Sequence, residues 1–441
     1  MFHSFFGGVY PATRKESTRR KPLANLPGIP EEVAIPLLMC SDGPSIPLVH
    51  PGDQVTVGQP IARRGPEGGA AAHASISGRV TAIQNRPHPW GGQSPAIIIH
   101  SDGQATPWGG GPAPADPRSL TQEQVLHRVE EAGIVGMGGG AFPTWVKLDQ
   151  AAGRIDTLIV NAAECEPYVT ADHRLLLERS DHILRGAQIL ARVLGARDPV
   201  LVTEGDKLNA VEALERRLRR RNSKVRLRTV RTCYPLGAEK QIVQTVTGQE
   251  IPPGGSPLDA RCLVLNIATV YAIHEALFQG LPLTHRAVTV TGGAVTRPRN
   301  LWVPIGTPLR ILLEAAGGLR EPADLILTGG PMMGTAIQDL DAPVTKDTNS
   351  LVCLTQMERK PASAGTVCIR CGKCVAACPM HLAPTFIRRA LEEKDLERLA
   401  KYHVEDCISC GCCSFICPAQ IPLVETVARA QTVLEKGGEN A

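Results

Sequence analysis

From Leu120 onward, the hydrophobic positions of the chain alternate between short apolar runs and longer amphipathic stretches. The runs have the length of buried strands, whereas the stretches repeat their apolar positions with the period of a helix. Thr121 and Gln124 form a capping-box pattern before the first stretch, and Gly195 follows the second as a left-handed cap. Strands that alternate with helices predict an α/β domain whose parallel or mixed sheet is covered on both faces. We predict strands at 157–160, 200–203, 225–230 and 263–265, and helices at 121–132, 175–194, 208–221 and 269–278.

The part of the chain before this domain has a different pattern. Residues 30–101 form short apolar segments separated by Pro and Gly turns, and two of them, 50–63 and 74–83, resemble the halves of a lipoyl- or biotinyl-type sandwich. A carrier of that type needs a lysine for its cofactor, and none occurs between Lys21 and Lys147. We therefore expect a structural module that keeps the fold but carries no lysine-linked cofactor. A linker at 102–118 follows it. The basic residues within 1–25 are interpreted as a solvated arm, or alternatively as a docking segment for an acidic partner or a lipid surface.

Two smaller units follow the α/β domain. Residues 286–345 are predicted to form strands at 287–291 and 325–328 and a helix near 309–316. Beyond Val367 the chain is rich in cysteine, with predicted helices at 384–402 and 423–434. The pattern therefore predicts four domains, at 1–118, 119–285, 286–345 and 360–441.

Composition narrows the class of protein. Of 441 residues, 43% are hydrophobic and 20% are charged, which is ordinary for a globular protein in water. An aromatic content of 4% and a net charge of +4 argue against a nucleic-acid surface. Asn266, His274 and Glu275 interrupt the best candidate for a membrane-spanning stretch, so we expect no transmembrane helix. The N-terminus has no signal-peptide pattern, and we expect cysteines that are reduced or bound to metal.

Eight of the 14 cysteines form two motifs of identical spacing, at 368–379 and 407–418. Both fit the C-x₂-C-x₂-C-x₃-C-P run of bacterial ferredoxins, in which the fourth cysteine binds the other cluster. A zinc site or buried thiols are the alternatives, and Cys412 falls outside the spacing. The pattern assigns Cys368, Cys371, Cys374 and Cys417 to one [4Fe–4S] cluster, and Cys407, Cys410, Cys413 and Cys378 to a second.

Residues 133–144 form a glycine-rich loop whose backbone N–H groups can approach a phosphate or a ring, and Lys147 adds a positive charge. The loop contains G-x-G-x-x-A, yet it follows a helix and not the strand that a dinucleotide fingerprint requires. A structural turn is therefore the alternative. Glu164 and Glu166 share one face of the segment after the strand at 157–160. Strand ends hold ligands in α/β sheets, although solvated carboxylates at an exposed edge would give the same pattern.

The order of these motifs carries a resemblance. The loop ending in Ala-Phe-Pro-Thr, then Lys147, then Val-Asn-Ala-Ala-Glu-Cys-Glu-Pro at 160–167, resembles the FMN- and NADH-binding flavoprotein subunit of respiratory complex I. Nearly the whole chain is more similar to the C subunit of the Rnf (Rsx) electron transport complexes, because the complex I subunit lacks the front module and carries one cluster. Two departures are Ala163, where complex I has aspartate, and Cys165, where it has serine.

The resemblance implies a multidomain α/β and α+β protein. Its parts would be a lipoyl-like barrel-sandwich, a Rossmann-like FMN/NADH domain, a β-grasp (SLBB) unit and a helical ferredoxin-like domain with two [4Fe–4S] clusters. The glycines would cradle FMN and the dinucleotide, and the thiol of Cys165 would be a packed small group near the flavin. The implied cofactor-binding residues are Gly136, Gly138, Gly139, Gly140, Lys147, Asn161, Glu164, Glu166, Tyr234, Gly237, Glu239, Asn266 and Thr269, with Glu166 and Glu239 toward NADH.

The resemblance also implies a function. NADH would deliver a hydride to FMN, the clusters would carry single electrons onward, and no residue is nominated as a general base. The implied partners are the other subunits of a membrane-bound, Na⁺- or H⁺-translocating complex, including a ferredoxin-like subunit, and ferredoxin indirectly. The chain would lie peripherally on the cytoplasmic face of the bacterial inner membrane. The alternatives are a cobalamin-reductase-like protein and a non-enzymatic electron-carrying scaffold with a decayed nucleotide site, which Ala163 would support.

Overall fold

The computed structural model describes residues 5–112, 114, 116–221, 223–358 and 367–437. The predicted outer boundaries at 1, 360 and 441 lie outside the described residues, and the inner domain boundaries stay predictions. The strands are β1 (Leu23–Asn25), β2 (Glu32–Pro36), β3 (Ser45–Pro47), β4 (Gln54–Val55), β5 (Pro60–Arg64), β6 (Ala72–His73), β7 (Gly78–Pro87), β8 (Gln93–Ser101), β9 (Thr157–Ala162), β10 (Asp198–Glu204), β11 (Arg226–Val230), β12 (Cys262–Asn266), β13 (His285–Thr291), β14 (Arg299–Pro304), β15 (Leu325–Thr328), β16 (Thr335–Ala336) and β17 (Ser350–Leu354). The α-helices are α1 (Gln122–Glu131), α2 (Thr144–Ala151), α3 (Ala171–Glu178), α4 (Ser180–Leu194), α5 (Leu208–Arg221), α6 (Glu239–Thr247), α7 (Ile267–His274), α8 (Leu309–Ala315), α9 (Lys373–Ala377), α10 (Pro384–Glu392), α11 (Leu396–Lys401), α12 (Cys412–Ile416) and α13 (Leu423–Glu435).

The front module consists of two facing antiparallel sheets. Their strand orders among the described residues are β2-β8-β7-β4 and β3-β5-β6. Ile35, Ile61 and Ile97 are fully buried in the core that the module shares with the α/β domain. Side chains that alternate between the two faces of each strand fill the space between the sheets, and the predicted barrel-sandwich is confirmed.

The α/β domain is built on a parallel sheet with the order β11-β10-β9-β12. Successive residues of β9 enter different cores, because Leu158 and Val160 pack in one apolar cluster and Ile159 in another. Both faces of the sheet are therefore buried, as the unbroken apolar runs predicted. The predicted capping box is present, with Gln124 N donating to Thr121 Oγ1 at 3.3 Å, and Gly195 ends α4 with φ +73°.

Three predicted helices are interrupted in the structure. The stretch 175–194 breaks at Arg179, whose ψ of 17° is not helical, so α3 and α4 are separate. The stretch 384–402 breaks near Lys394, which has φ +54°, and Asp395 caps the new helix α11. After α7 the chain forms a π-helical turn, Glu275–Gln279. No Gly or Pro marks these breaks, and a continuous apolar stripe does not reveal them.

The β-grasp unit is a mixed sheet with the order β1-β14-β13-β17-β15-β16 among the described strands. β13 and β14 are antiparallel, β17 runs parallel to β13, and α8 packs on the sheet. β1 comes from the N-terminal region and adds an edge strand, with Leu23 opposite Asn300. This confirms the predicted β-grasp fold and shows that it recruits a strand from far upstream.

Residues 5–21, which we call the N-terminal strap, run across three domains. Lys15 and Thr18 are 4% and 0% exposed, so the interpretation as a solvated arm is wrong for these residues. Lys15 donates to the backbone carbonyl of Glu164. Val9 pairs with Tyr234 through two backbone hydrogen bonds of 2.8 and 3.0 Å, and Gly8 N donates to the carbonyl of Ala377 at 2.9 Å. The strap thus joins the α/β domain to the cysteine-rich domain.

The cysteine-rich domain contains two similar units. Each cysteine motif turns at a glycine with positive φ, +70° at Gly372 and +77° at Gly411, and then enters a short helix, α9 or α12. α10 and α13 pack on these units through a small apolar core. Among the described residues, no helix combines the length and apolar character needed to cross a bilayer.

Candidate functional site

A cavity of about 610 Å³ lies at the carboxyl ends of β9 and β12. Its volume is within the usual range of ligand pockets, and the ends of parallel strands are where α/β sheets hold ligands. Gly139 is the one predicted cofactor residue that does not line it. The structure therefore brings the motifs into one place, while their role in binding a cofactor stays a prediction. The predicted residues that line the cavity are Gly136, Gly138, Gly140, Lys147, Asn161, Glu164, Glu166, Tyr234, Gly237, Glu239, Asn266 and Thr269.

The glycine loop is anchored to the start of α7. Met137 N donates to Thr269 Oγ1 at 3.0 Å, and a Cβ on Gly138 would lie 3.3 Å from Asn266 Cβ. Asn266 caps α7 by accepting from Ala268 N at 2.7 Å. Because glycine has no side chain, the loop backbone can lie close to the start of α7, where the free backbone N–H groups favour binding of an anionic group. Across the cavity, Lys147 forms an ion pair with Glu239.

Two hydrogen bonds, one in each direction, join the end of β9 and the residues after it to the segment that follows β11. Asn161 Nδ2 donates to the carbonyl of Gly237 at 2.9 Å, and Gly237 N donates to Cys165 Sγ at 3.4 Å. Burial raises the pKa of the Cys165 thiol, and the negative charge of Glu204 raises it further. A neutral thiol that accepts a backbone hydrogen bond acts as a packed polar group in the cavity wall.

Glu164 and Glu166 are not solvated carboxylates. Glu164 accepts from the backbone N–H groups of Asp172 and His173 at 2.7 and 3.2 Å, at the start of α3. Glu166 accepts from Met332 N at 3.2 Å and Met333 N at 2.9 Å, in the β-grasp unit. Burial raises the pKa of Glu164 to about 8 and that of Glu166 to about 7. Glu166 therefore also ties the cavity wall to the neighbouring domain.

Two polar residues of the cavity wall were missed by the sequence analysis. Thr144 and Gln241 are 1% and 3% exposed, and Thr144 Oγ1 and Gln241 Oε1 have no hydrogen-bond partner among the described residues. Both line the cavity. Buried polar atoms are normally paired, and a polar ligand in the cavity would pair these two. With the glycine loop and Lys147, they fit a group such as FMN, which offers a phosphate, hydroxyls and a polar ring.

We expect Thr144→Val to weaken FMN binding about 2- to 10-fold, the value of one net hydrogen bond of roughly 0.5–1.5 kcal/mol. Thermal stability of the flavin-free chain should not fall, because the substitution removes an unpaired buried hydroxyl. Fluorescence titration with FMN and thermal melts measure the two effects. Thr245→Val is the matched control, since Thr245 Oγ1 is also buried and unpaired but does not line the cavity. Equal loss of affinity in both variants would contradict the assignment.

The cysteines of the two motifs interleave. Cys378, from the first motif, lines one apolar cavity together with Cys407, Cys410 and Cys413 of the second, and Cys412, which falls outside the spacing, lines it as well. The four motif thiols around this apolar space fit a [4Fe–4S] cluster. Cys368, Cys374 and Cys417 pack around Ile421 and Leu423, and Cys413 contacts the same apolar cluster. Cys371 is exposed. We call the first group the inner site and the group of Cys368, Cys371, Cys374 and Cys417 the outer site.

The inner site is in direct contact with the large cavity. Tyr234, which lines the cavity, donates its hydroxyl to the carbonyl of Cys410 at 2.8 Å. Ile408 of the second motif also lines the cavity. Gln241 Nε2 donates to the carbonyl of Pro379, next to Cys378, at 3.2 Å. The loop that carries three inner-site cysteines thus contributes Ile408 to the cavity wall.

Protein-family models match four consecutive parts of the chain. The RnfC barrel sandwich hybrid domain matches residues 3–104, and the Nuo51 FMN-binding domain matches residues 129–275. An SLBB domain matches residues 287–336, and a 4Fe-4S dicluster domain matches residues 360–418. A solved NAD⁺-reducing [NiFe]-hydrogenase shares the fold, with a TM-score of 0.53 at 18% identity over 73% of this chain and 62% of that chain.

Three curated C subunits are similar to this chain over most of their own length. The C subunit of the proton-translocating ferredoxin:NAD(+) oxidoreductase complex of Clostridium ljungdahlii is 40% identical over 91% of this chain and 87% of that protein. The C subunit of the ion-translocating oxidoreductase complex of Rhodobacter capsulatus is 41% identical over 98% and 83%. The C subunit of the Na(+)-translocating ferredoxin:NAD(+) oxidoreductase complex of Acetobacterium woodii is 37% identical over 86% of each chain. The chain therefore belongs to the family of C subunits of Rnf-type ion-translocating oxidoreductase complexes.

Proposed function

We propose that this chain is the NADH-dependent electron-input subunit of an ion-translocating ferredoxin:NAD⁺ oxidoreductase complex, lying peripherally on the cytoplasmic face of the membrane. The observation that carries the proposal is the shared wall between the large cavity and the inner site, formed by Tyr234, Ile408 and Gln241. A site for a two-electron carrier thereby lies against a site for a one-electron carrier. Partner subunits, including a ferredoxin-like one, would exchange electrons at the outer site, where Cys371 is exposed.

When bound, the flavin exchanges a hydride with the nicotinamide and single electrons with the clusters. The chain's own residues bind and orient these groups. The glycine loop leaves room for the backbone to approach the flavin phosphate, and Thr144 and Gln241 offer polar atoms to it. The Asn161–Gly237 hydrogen bond keeps the end of β9 in place. No acid–base residue is needed, since a hydride carries its own electron pair.

The scaffold alternative rests on Ala163, and the structure gives it no support. Ala163 is fully buried in an apolar cluster with Ile159 and Val202, and it does not line the cavity. The cobalamin-reductase-like alternative does not account for the barrel-sandwich, which matches the RnfC model.

An anaerobic titration tests the proposal. The chain is purified without oxygen, reconstituted with FMN, iron and sulfide, and mixed with NADH. We expect the visible flavin band to bleach, followed by loss of cluster absorbance. Bound FMN that does not bleach with NADH would reject the dehydrogenase function and leave an electron-carrying scaffold.

A further inference from the structure

A tight hairpin loop of the β-grasp unit reaches the large cavity. Residues 329–334 connect the antiparallel strands β15 and β16 with the sequence Gly-Gly-Pro-Met-Met-Gly, and we call them the grasp loop. Gly334 N donates to the carbonyl oxygen of Gly330 at 2.7 Å, and a Cβ on Gly334 would lie 2.4 Å from the same oxygen. The absence of side chains at these glycines therefore lets the chain reverse sharply and present its two methionines at the tip of the loop.

The grasp loop is attached to Glu166 in the cavity wall. The two oxygens of this carboxylate accept hydrogen bonds from the backbone N–H groups of Met332 and Met333. A Cβ on Gly330 would lie 2.2 Å from Glu166 Oε2, so the close approach of loop and carboxylate requires glycine at this position. Two hydrogen bonds to one side chain and a close backbone contact fix the position of the loop relative to the cavity.

The two methionines of the loop have different surroundings. Met332 packs against the apolar cluster that contains Tyr234 and Cys410, and its carbonyl oxygen would lie 2.8 Å from a Cβ on Gly411. Met333 instead lines the large cavity, and 57% of its surface is exposed. Met332 therefore anchors the loop next to the inner site, whereas Met333 lies at the open edge of the cavity.

A methionine at this edge suits contact with a flat ring. Its thioether is polarizable and packs favourably against aromatic rings, and burial of its exposed apolar surface against a ligand adds to the affinity. A substrate crosses the open edge each time it enters or leaves the cavity. The resident cofactor is held in the enclosed part, where Thr144 and Gln241 carry unpaired polar atoms. The ring that meets Met333 is therefore that of the substrate.

We propose that the grasp loop is part of the substrate site and that Met333 packs against the nicotinamide ring of the bound dinucleotide. The inference rests on the proposed function, because it takes NADH or NAD⁺ as the substrate. Met333 is then a substrate-binding residue that the β-grasp unit supplies, whereas the predicted cofactor motifs all belong to the α/β domain. Glu166 positions Met333 through its hydrogen bonds to the loop.

Equilibrium binding of NAD⁺ and of ADP-ribose, which lacks the nicotinamide ring, tests the proposal. The chain is kept oxidised and loaded with FMN and both clusters, so that neither probe reacts. We expect Met333→Ala to weaken NAD⁺ binding about 2- to 10-fold, the value of one sulfur–aromatic contact, and to leave ADP-ribose binding and FMN retention unchanged. Met357→Ala is the matched control, because Met357 is 97% exposed and does not line the cavity.

The outcomes separate this inference from the proposed function. Unchanged NAD⁺ binding in Met333→Ala, equal weakening of both probes, or loss of FMN overturns the inference alone. A wild-type chain that binds FMN but not NAD⁺ overturns the proposed function and the inference with it.

A second variant tests the attachment of the loop. Gly330→Ala would push the loop away from Glu166, and Gly330 lies outside the left-handed region, so alanine adds no backbone strain there. We expect NAD⁺ binding to weaken at least about twofold, because Met333 is displaced. Gly109→Ala is the control, since Gly109 has neither a positive φ nor an atom within 4 Å of the added Cβ. NAD⁺ binding equal to that of wild type in Gly330→Ala would overturn the role of the loop in the substrate site.

Discussion

A chain with Cys378 replaced by alanine is expected to lose the cluster of the inner site, although the other three ligands of that site belong to the second motif. The reason is the interleaving of the motifs, which places Cys378 in one cavity with Cys407, Cys410 and Cys413. Iron content should fall by half, and NADH should still bleach the flavin. Reduction of the remaining cluster by NADH should fall by orders of magnitude, because the inner site is the one that contacts the cavity, through Ile408 and Tyr234. Iron analysis and low-temperature electron paramagnetic resonance measure both effects.

Cys371→Ala is the matched variant. Cys371 is exposed at the outer site, so its loss should remove the outer cluster and leave FMN binding and NADH-driven reduction of the inner cluster intact. Cys353→Ala serves as a control for loss of a thiol, since Cys353 lies buried in the β-grasp core. Loss of both clusters or of FMN in Cys371→Ala would refute the modular arrangement. Loss of the outer cluster in Cys378→Ala would refute the interleaved assignment.

The second large effect is expected for Gly8→Ala in the N-terminal strap. Gly8 has φ +81°, and a Cβ there would lie 2.7 Å from both Cys233 Sγ and the carbonyl oxygen of Tyr234. Overpacking of this kind costs about 1–3 kcal/mol. The strap also binds Ala377, next to Cys378, so its displacement should loosen the contact between cavity and inner site. Flavin reduction by NADH should be unchanged. Cluster reduction should slow at least about tenfold, since a 1 Å misplacement of reacting groups can cost this much or more.

Stopped-flow absorbance at flavin and cluster wavelengths separates the two steps. Gly28→Ala is the matched control, because Gly28 has φ +75° with no atom within 4 Å of its added Cβ. It therefore has the backbone strain without the clash. Equal slowing of cluster reduction in both variants would show that strain, and not the docking of the strap, is responsible. Slowed flavin reduction in Gly8→Ala alone would place the effect in the cavity itself.

Local pattern was sufficient for much of the fold. The alternation of strands and helices, the capping box at Thr121 and the cap at Gly195 are set by residues near one another in the chain, and the sheet and both caps that they predicted are confirmed. The cofactor motifs could be chosen because glycine-rich loops and strand ends have distinctive residue types. The breaks at Arg179 and Lys394 could not be foreseen, since packing against distant elements redirects helices that no Gly or Pro interrupts.

The sequence by itself determined the chemistry of this protein, because cysteine spacing and glycine clustering are local properties that only a few cofactors require. Only the tertiary structure decided how the cavity, the N-terminal strap and the cysteine motifs contact one another. Lys15 and Glu164 lie 149 positions apart, and Tyr234 and Cys410 lie 176 apart, so no periodicity links them. Thr144 and Gln241 are ordinary helix residues until the fold buries their polar atoms in one cavity. Such contacts depend on which surfaces meet when the domains pack, which a one-dimensional pattern does not record.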